Sequence, residues 1–445
     1  MNSKFDLRSF ISKLLKNATI TNVITVGITT LIVSGLGFFK EIVVADSFGL
    51  SELLDTFYIA ILVPSFISGV FLGSFNSVFI PNYVTELKTG KNIGAFQSTS
   101  FLVTIAVSLL FLIFAVLFTD VYLETFFKGH TLQYYELVKK QFYYVAPCIL
   151  FWGFSSLISG LLTIDNEFRY SSIANIFTPI TIIICLVFYQ DQLGDLVLAI
   201  GTLLGSISSF LFLIFIAFKR NIINLKRPDF ASVNIRVLFK QIPAKLSSSL
   251  LSGINPLIDQ YFSAQLIVGS IAALNYGIKI PAFAISIAGL ALGNVLLPYF
   301  SKQVVDNREK TFRKLKTILK YLIIVSLIAA VILILLSSPI IWLVFERNAF
   351  TSADTTIVSK IQQMYILQIP SYISGLVMVK FLTSINKNNF MVLTSLISLI
   401  MNIVLNTILI ELMGVYGLAL ATSLVSIINS VILYLYILKL NRSNV

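Results

Sequence analysis

The sequence predicts an all-α integral membrane protein of about 12 transmembrane helices in two parallel six-helix repeats. Composition is the first reason. Apolar residues make up 57% of the 445 and charged residues only 12%, where soluble domains carry about 25% charged residues, and mean hydropathy is +0.91. The second reason is run length: apolar stretches of about 20 residues recur, enough for helices to cross a hydrocarbon core about 30 Å thick. The third is a duplication. Pro64, Phe66 and Pro81 lie over Pro281, Phe283 and Pro298 at an offset of 217. Further along, Leu162, Thr163 and Asn166 lie over Leu382, Thr383 and Asn386, and Leu198, Ala199, Thr202 and Ser206 over Leu418, Ala419, Thr422 and Ser426, at 220. Solenoid periods run only about 20 to 50 residues, so two large similar halves suit a transporter with a path between them.

In chain order the expected spans are 18–39, 55–81, 96–118, 137–162, 171–189, 195–218, 246–266, 270–298, 318–345, 357–381, 390–410 and 414–438. Basic residues sort between the loops as positive residues do toward the cytoplasm. The densest groups are Lys219, Arg220, Lys226, Arg227, Arg236, Lys240 and Lys245, then Lys302, Arg308, Lys310, Arg313, Lys314, Lys316 and Lys320. Both groups share a side with the two termini, so the expected topology has both ends in the cytoplasm. The organisation is then a cytoplasmic amphipathic segment (1–17), an N-lobe (18–218), a basic cytoplasmic linker (219–245), a C-lobe (246–438) and a short cytoplasmic tail (439–445). The first segment sets Phe5, Phe10, Ile11 and Leu14 among Lys4, Arg8, Lys13 and Lys16, as either an interfacial helix or a topogenic basic stretch. Pro64, Pro147, Pro281 and Pro370 fall inside spans, where they mark kink points.

Several function classes drop out. The net charge of +12 sits beside membrane spans, where anionic headgroups account for it, so no nucleic-acid partner is expected. The chain carries no nucleotide loop, dinucleotide fingerprint or HExxH, and its one histidine is His130. An enzyme is therefore not expected. Cys148 and Cys185 lie in apolar runs and read as packing residues rather than a disulfide.

Charges inside spans are the informative residues, since each costs about 2.5–3.5 kcal/mol at a helix centre on insertion scales. They are Asp259 and Lys279, with Lys40, Glu41 and Asp55 nearer the ends of the first two spans. Lys279 follows Gly277 and precedes Pro281, where a helix break opens backbone to a cavity. The alternative is a lysine that snorkels or pairs with Asp259.

The run LGFFKEIVVADSFG (Leu36 to Gly49), then LLDTFYIAILVPS (Leu53 to Ser65), resembles the opening of the MviN/MurJ family of lipid II flippases. SIAALNYGIKIPAFAISIAGLALGNVLLPYFSK (Ser270 to Lys302) resembles that family's eighth helix, and LVFERNAFT (Leu343 to Thr351) its motif after the ninth, where glycine usually stands in place of Asn348. The resemblance implies two six-helix bundles in a V around a cavity that opens alternately to each side and carries a polyprenyl-pyrophosphate-linked sugar across the bacterial cytoplasmic membrane.

On that resemblance the substrate-binding residues are Lys40, Glu41, Asp55 and Lys279, with Ser34 and Ser68 where lipid II flippases place further arginines. Lys40 and Lys279 occupy positions where arginine is usual; lysine keeps the charge without the bidentate fork. A less positive cavity and an end after the twelfth span point first to a surface-polysaccharide intermediate, with lipid II close behind. No cofactor is expected beyond a coupling ion. Asp259, Asn402, Asn406 and Thr422 fall on the oxygen ligands of a sodium site in some relatives, with Asn406 standing for an aspartate, so either sodium or a proton at Asp259 drives transport. The asparagines serve equally well as hydrogen-bonding glue between helices. The expected partners are membrane lipid and the lipid-linked sugar, with the protein acting as a monomer. A cation-coupled exporter of small amphipathic compounds is the alternative on the same fold.

Overall fold

The structure, a computed structural model, describes residues 18–442 apart from 91 and 388. The amphipathic segment 1–17 and the last three residues lie outside the described residues. The described chain is helical, with one isolated β-bridge between Arg347 and Phe350.

Helix α1 (Ala18–Phe48) leads into α2 (Glu52–Ile67), a π-helical turn at Ser68–Leu72, and α3 (Gly73–Thr89). Then come α4 (Ile93–Leu117), the short α5 (Thr119–Phe126), α6 (Leu132–Val145), α7 (Cys148–Ile164), α8 (Phe168–Ile173), α9 (Phe177–Leu193) and α10 (Val197–Lys219). Helix α11 (Val233–Ser263) opens the second half, followed by α12 (Ser270–Gly277), α13 (Lys279–Asp306), α14 (Arg308–Leu335), α15 (Ser337–Phe345), α16 (Ser352–Ile366), α17 (Ile369–Ser384), α18 (Asn389–Met413) and α19 (Val415–Arg442).

Every expected span falls on helix, but the count by length and apolarity among the described residues is ten. Two causes account for the difference from twelve. One stretch, Phe168–Lys219, holds both α9 and α10. The other is α11, whose stretch 246–263 sets Ser247, Ser248, Ser249, Asn255, Asp259 and Gln260 among its apolar residues and so falls short in apolarity. The solvent is nonetheless clear from the surface: Ile324, Val325, Leu327, Ile328, Val331 and Ile332 of α14 are all exposed. A contiguous apolar band of that kind is favourable only against lipid.

Proline explains where the helices break. It has no N–H to give the carbonyl four residues back, and its ring crowds that turn. Pro147 sits between α6 and α7, Pro281 three residues after the α12–α13 junction, and Pro370 in the first turn of α17. Pro64 lies four residues before the π-helical turn, where Gly73 N–H donates to Ser68 O. Single-turn π segments of this sort cluster at functional sites.

Backbone dihedrals reveal the duplication more fully than residue identity does. The residues with positive φ include Gly49 and Gly269, Asn166 and Asn386, and Gly194 and Gly414, each pair 220 apart, with Gly129 and Asn348 at 219. The asparagine pair closes equivalent helices in the same way. Glu167 N–H donates to Leu162 O at 2.9 Å and Asn166 N–H to Thr163 O at 3.2 Å; Lys387 N–H donates to Leu382 O at 2.9 Å and Asn386 N–H to Thr383 O at 3.1 Å. Both ends are Schellman caps with asparagine in the left-handed position.

The chain divides into two compact units. One takes residues up to Val44, Ala60–Val121 and Tyr135–Ser249; the other takes Ala45–Ile59, Tyr122–Tyr134 and everything from Leu250. In the first unit α10 packs on α9 and α7, and α7 on α3 and α4. Thr181 of α9 donates to the Gly201 carbonyl of α10 at 2.8 Å, which the small residue permits. The linker is strapped to α4 here: Asn224 N–H donates to Gln97 Oε1 at 2.7 Å and Asp229 N–H to Thr99 Oγ1 at 2.9 Å. In the second unit α19 packs on α18, α17 and α16, while α17 packs on α13 and α14.

Candidate functional site

Asp55 lies in the second unit at the start of α2 and is 3% exposed. Its Oδ2 accepts from Gly269 N–H at 2.6 Å and its Oδ1 from Ala272 N–H at 2.7 Å. The first amides of a helix have no partner within it. The residue placed to cap α12 is Gly269, which has no side chain, so a carboxylate 214 residues away in sequence supplies the cap. The negative charge also suits the positive end of the helix dipole. The same unit ties down the end of α1. Ala349 N–H donates to Asp46 O at 3.1 Å, and Asn348 Nδ2 to Asp46 Oδ1 at 2.7 Å. Tyr276 of α12 packs against Phe345 and Phe350 at ring separations of 5.2 and 5.6 Å. Tyr276 is therefore a core residue rather than part of an interface belt.

Helix α12 is eight residues long, or about 12 Å at 1.5 Å per residue. Asp55 holds its first turn, and Lys279 follows the break at Ile278 after its last. Lys279 is half-buried. With no amide proton on Pro281, the Gly277 carbonyl has no donor four residues on. That carbonyl stands two residues before Lys279 in the chain.

The remaining substrate candidates belong to the first unit. Lys40 Nζ meets Glu41 Oε1 at 2.7 Å, with side chains 21% and 9% exposed. An anion approaching this end of α1 meets an ion pair whose charges cancel, not a lone cation. Ser34 is half-buried on α1, and Ser68 opens the π-helical turn.

The coupling-site candidates converge in the second unit. Asn402 and Asn406 are one turn apart on α18, 3% and 0% exposed, and both donate to Asp259 Oδ1, at 3.1 and 2.9 Å. Asn406 Nδ2 also lies 3.3 Å from Asn402 Oδ1. Thr422 on α19 donates to Leu418 O at 3.2 Å, and the Tyr365 hydroxyl lies near both Thr422 and Asp259. Asn406 Oδ1 is buried without a hydrogen-bond partner among the described residues, and an orphaned oxygen of that kind calls for an explanation such as an ion or water. One carboxylate with neutral amide and hydroxyl oxygens fits a hard monovalent cation. No group of three or more His, Cys, Asp or Glu suited to a heavier metal occurs among the described residues.

Sequence reasoning missed Tyr365. As an aromatic it reads as a sugar-stacking or belt residue, yet it is 5% exposed and turned into the polar cluster. Its spacing from Asp259 carries no signal that would have found it.

The model of the family described as lipid II flippase MurJ matches residues 44–443. The chain belongs to the MurJ lipid II flippase family. A probable lipid II flippase MurJ from Buchnera aphidicola subsp. Schizaphis graminum is 27% identical over 423 residues, covering 93% of this chain and 82% of that protein. A solved structure of lipid II flippase MurJ in an inward closed conformation is 29% identical, with a TM-score of 0.81 over 93% of this chain and 87% of its own. An inward-facing multidrug resistance MATE family transporter of the MOP superfamily shares the fold at 11% identity, with a TM-score of 0.77 over 95% and 98%. Within the MurJ match fall Asp55, Ser68, Asp259, Lys279, Asn402, Asn406 and Thr422, while Ser34, Lys40 and Glu41 precede it. The glycine usual in MurJ proteins where Asn348 stands also has a structural reason. This residue has φ of 36°, a conformation that glycine takes freely and asparagine tolerates.

Proposed function

We propose that this chain carries lipid II, a polyprenyl-pyrophosphate-linked sugar, across the bacterial cytoplasmic membrane as a secondary transporter without enzymatic activity. The family match over nine-tenths of the chain is the observation that carries the reading, and it reverses the order of the two cargoes expected from the sequence. A pyrophosphate head cannot enter hydrocarbon unaided. Lys279, at a helix break with its backbone polarity, is the cation we assign to it; Lys40 contributes less because Glu41 offsets its charge. Ser34 and Ser68 add hydroxyl donors at positions where a charge is absent.

Asp259, Asn402, Asn406 and Thr422 would hold a sodium ion or, at Asp259, a proton, supplying the gradient coupling that a chain without a nucleotide site requires. When bound, the cation offsets the one buried carboxylate and gives Asn406 Oδ1 a partner. Both termini are assigned to the cytoplasm from the loop charges, the lobes to 18–218 and 246–438, and the working unit to a single chain.

The test is transport in liposomes that contain either fluorescent lipid II or a fluorescent polyprenyl-pyrophosphate oligosaccharide of a surface polymer. Exposure of the headgroup should be lost in Lys279→Ala. Movement of the second lipid alone would replace the cargo, and movement of neither by folded protein would overturn the reading.

A further inference from the structure

A second lipid-facing feature lies away from all of these residues. Helices α14, α17 and α19 of the second unit leave a cavity of about 400 Å³ between them. Leu319, Ile323, Met378, Ile427 and Val431 form its walls, and Lys316 and Lys320 line it from α14.

Three observations say what it takes. The serines that face it have their donors engaged: Ser371 donates to Gln368 O at 2.9 Å, Ser374 to Pro370 O at 2.7 Å, and Ser430 to Ser371 O. The donors left to meet a ligand's anionic oxygens are chiefly its lysines. Those two lysines, one helical turn apart and both exposed, have no hydrogen-bond or ion-pair partner among the described residues. Their neighbours do: Arg313 pairs with Glu309, and Lys314 meets Gln303 Oε1 at 2.5 Å and the Tyr299 ring. Finally, Lys320 is the thirteenth residue of α14, roughly 18 Å along the helix at 1.5 Å per residue. Since the expected span begins at 318, Lys320 stands at the cytoplasmic edge of the membrane, where an ammonium snorkels to anionic headgroups.

We infer that this groove is a binding site for an anionic phospholipid. The phosphate sits between Lys316 and Lys320, and one acyl chain lies along Leu319, Ile323, Met378 and Val431. Size favours a phospholipid over the polyprenyl cargo. A cavity of about 400 Å³ is small against a long polyprenyl tail.

The full chain, with Trp152→Phe and Trp342→Phe to remove its own indoles and Tyr434→Trp at the groove, is placed in nanodiscs of phosphatidylcholine. Quenching is then followed as brominated-acyl phosphatidylglycerol or brominated-acyl phosphatidylcholine is added. Phosphatidylglycerol should reach half-quenching at a mole fraction at least about fivefold lower, the effect of one lysine near an anionic surface. Lys316→Gln with Lys320→Gln should erase that preference, while the two arginine replacements should keep it, which separates charge from folding. Equal quenching by both lipids overturns the inference, as does a preference that survives the glutamines. Relief of quenching by unbrominated polyprenyl pyrophosphate at lower concentration than by phosphatidylglycerol would make this a cargo site and overturn it as well.

Discussion

Replacing Asp55 by asparagine tests the link between the start of α2 and the start of α12. The native carboxylate accepts two amide hydrogen bonds, at 2.6 and 2.7 Å, while 3% exposed. Hydrogen bonds to a charged group are worth about 1.5–3 kcal/mol each. Asparagine keeps one carbonyl acceptor and turns an NH₂ toward the other amide, so one charge-assisted bond is lost outright and the other weakens to a neutral one. The expected cost is about 2 kcal/mol, borne by the first turn of α12, since α12 has only eight residues and Gly269 brings no cap of its own. At 1.36 kcal/mol per decade, amides in that turn should exchange about 30-fold faster. Hydrogen–deuterium exchange of the detergent-solubilised protein, read on peptides covering 266–278, makes the measurement. A change under threefold there, or an equal acceleration across α18 and α19, would refute the claim that Asp55 acts as a remote helix cap.

Gly49→Ala should destabilise by more than about 2 kcal/mol, read as a fall in melting temperature. Its φ is +52° and an added Cβ would stand 2.2 Å from the Ala349 carbonyl oxygen, so conformational strain and overpacking act together. Asn348→Gly should leave stability within about 0.5 kcal/mol, because relief of the positive φ offsets the lost bond to Asp46, whereas Asn348→Ala loses both and should cost about 1–2 kcal/mol. Asn406→Asp should produce or strengthen a rise in melting temperature with sodium that potassium does not reproduce, and Asn406→Leu should abolish any such rise. An unchanged sodium response in both variants would leave the asparagines as interhelical glue.

Much of the fold was legible because its causes are local. An apolar run long enough to cross a bilayer must be helical there, since nothing else satisfies its backbone in lipid. Pro147, Pro281 and Pro370 stand at or beside helix breaks for the same reason anywhere in a chain, and an asparagine such as Asn166 or Asn386 closes a helix through its own backbone conformation. The spans 171–189, 195–218 and 246–266 read from the sequence fall on α9, α10 and α11, although a count by length and apolarity alone merges the first two and omits the third.

The candidate site divides along the same line. Asp259, Lys279 and Asp55 were visible from sequence as charges in apolar surroundings, a property of each residue with its neighbours. Their partners were not. That Asp55 meets Gly269 and Ala272, that Lys40 is offset by Glu41, and that Tyr365 joins Thr422 near Asp259 depend on how side chains turn and helices pack. The amino-acid sequence by itself determined the solvent, the helices, the duplication and the unusual charges. Tertiary structure decided which charges are neutralised and which cap a helix, because hydrogen bonds act over about 3 Å while these residues are brought together from as many as 217 positions apart.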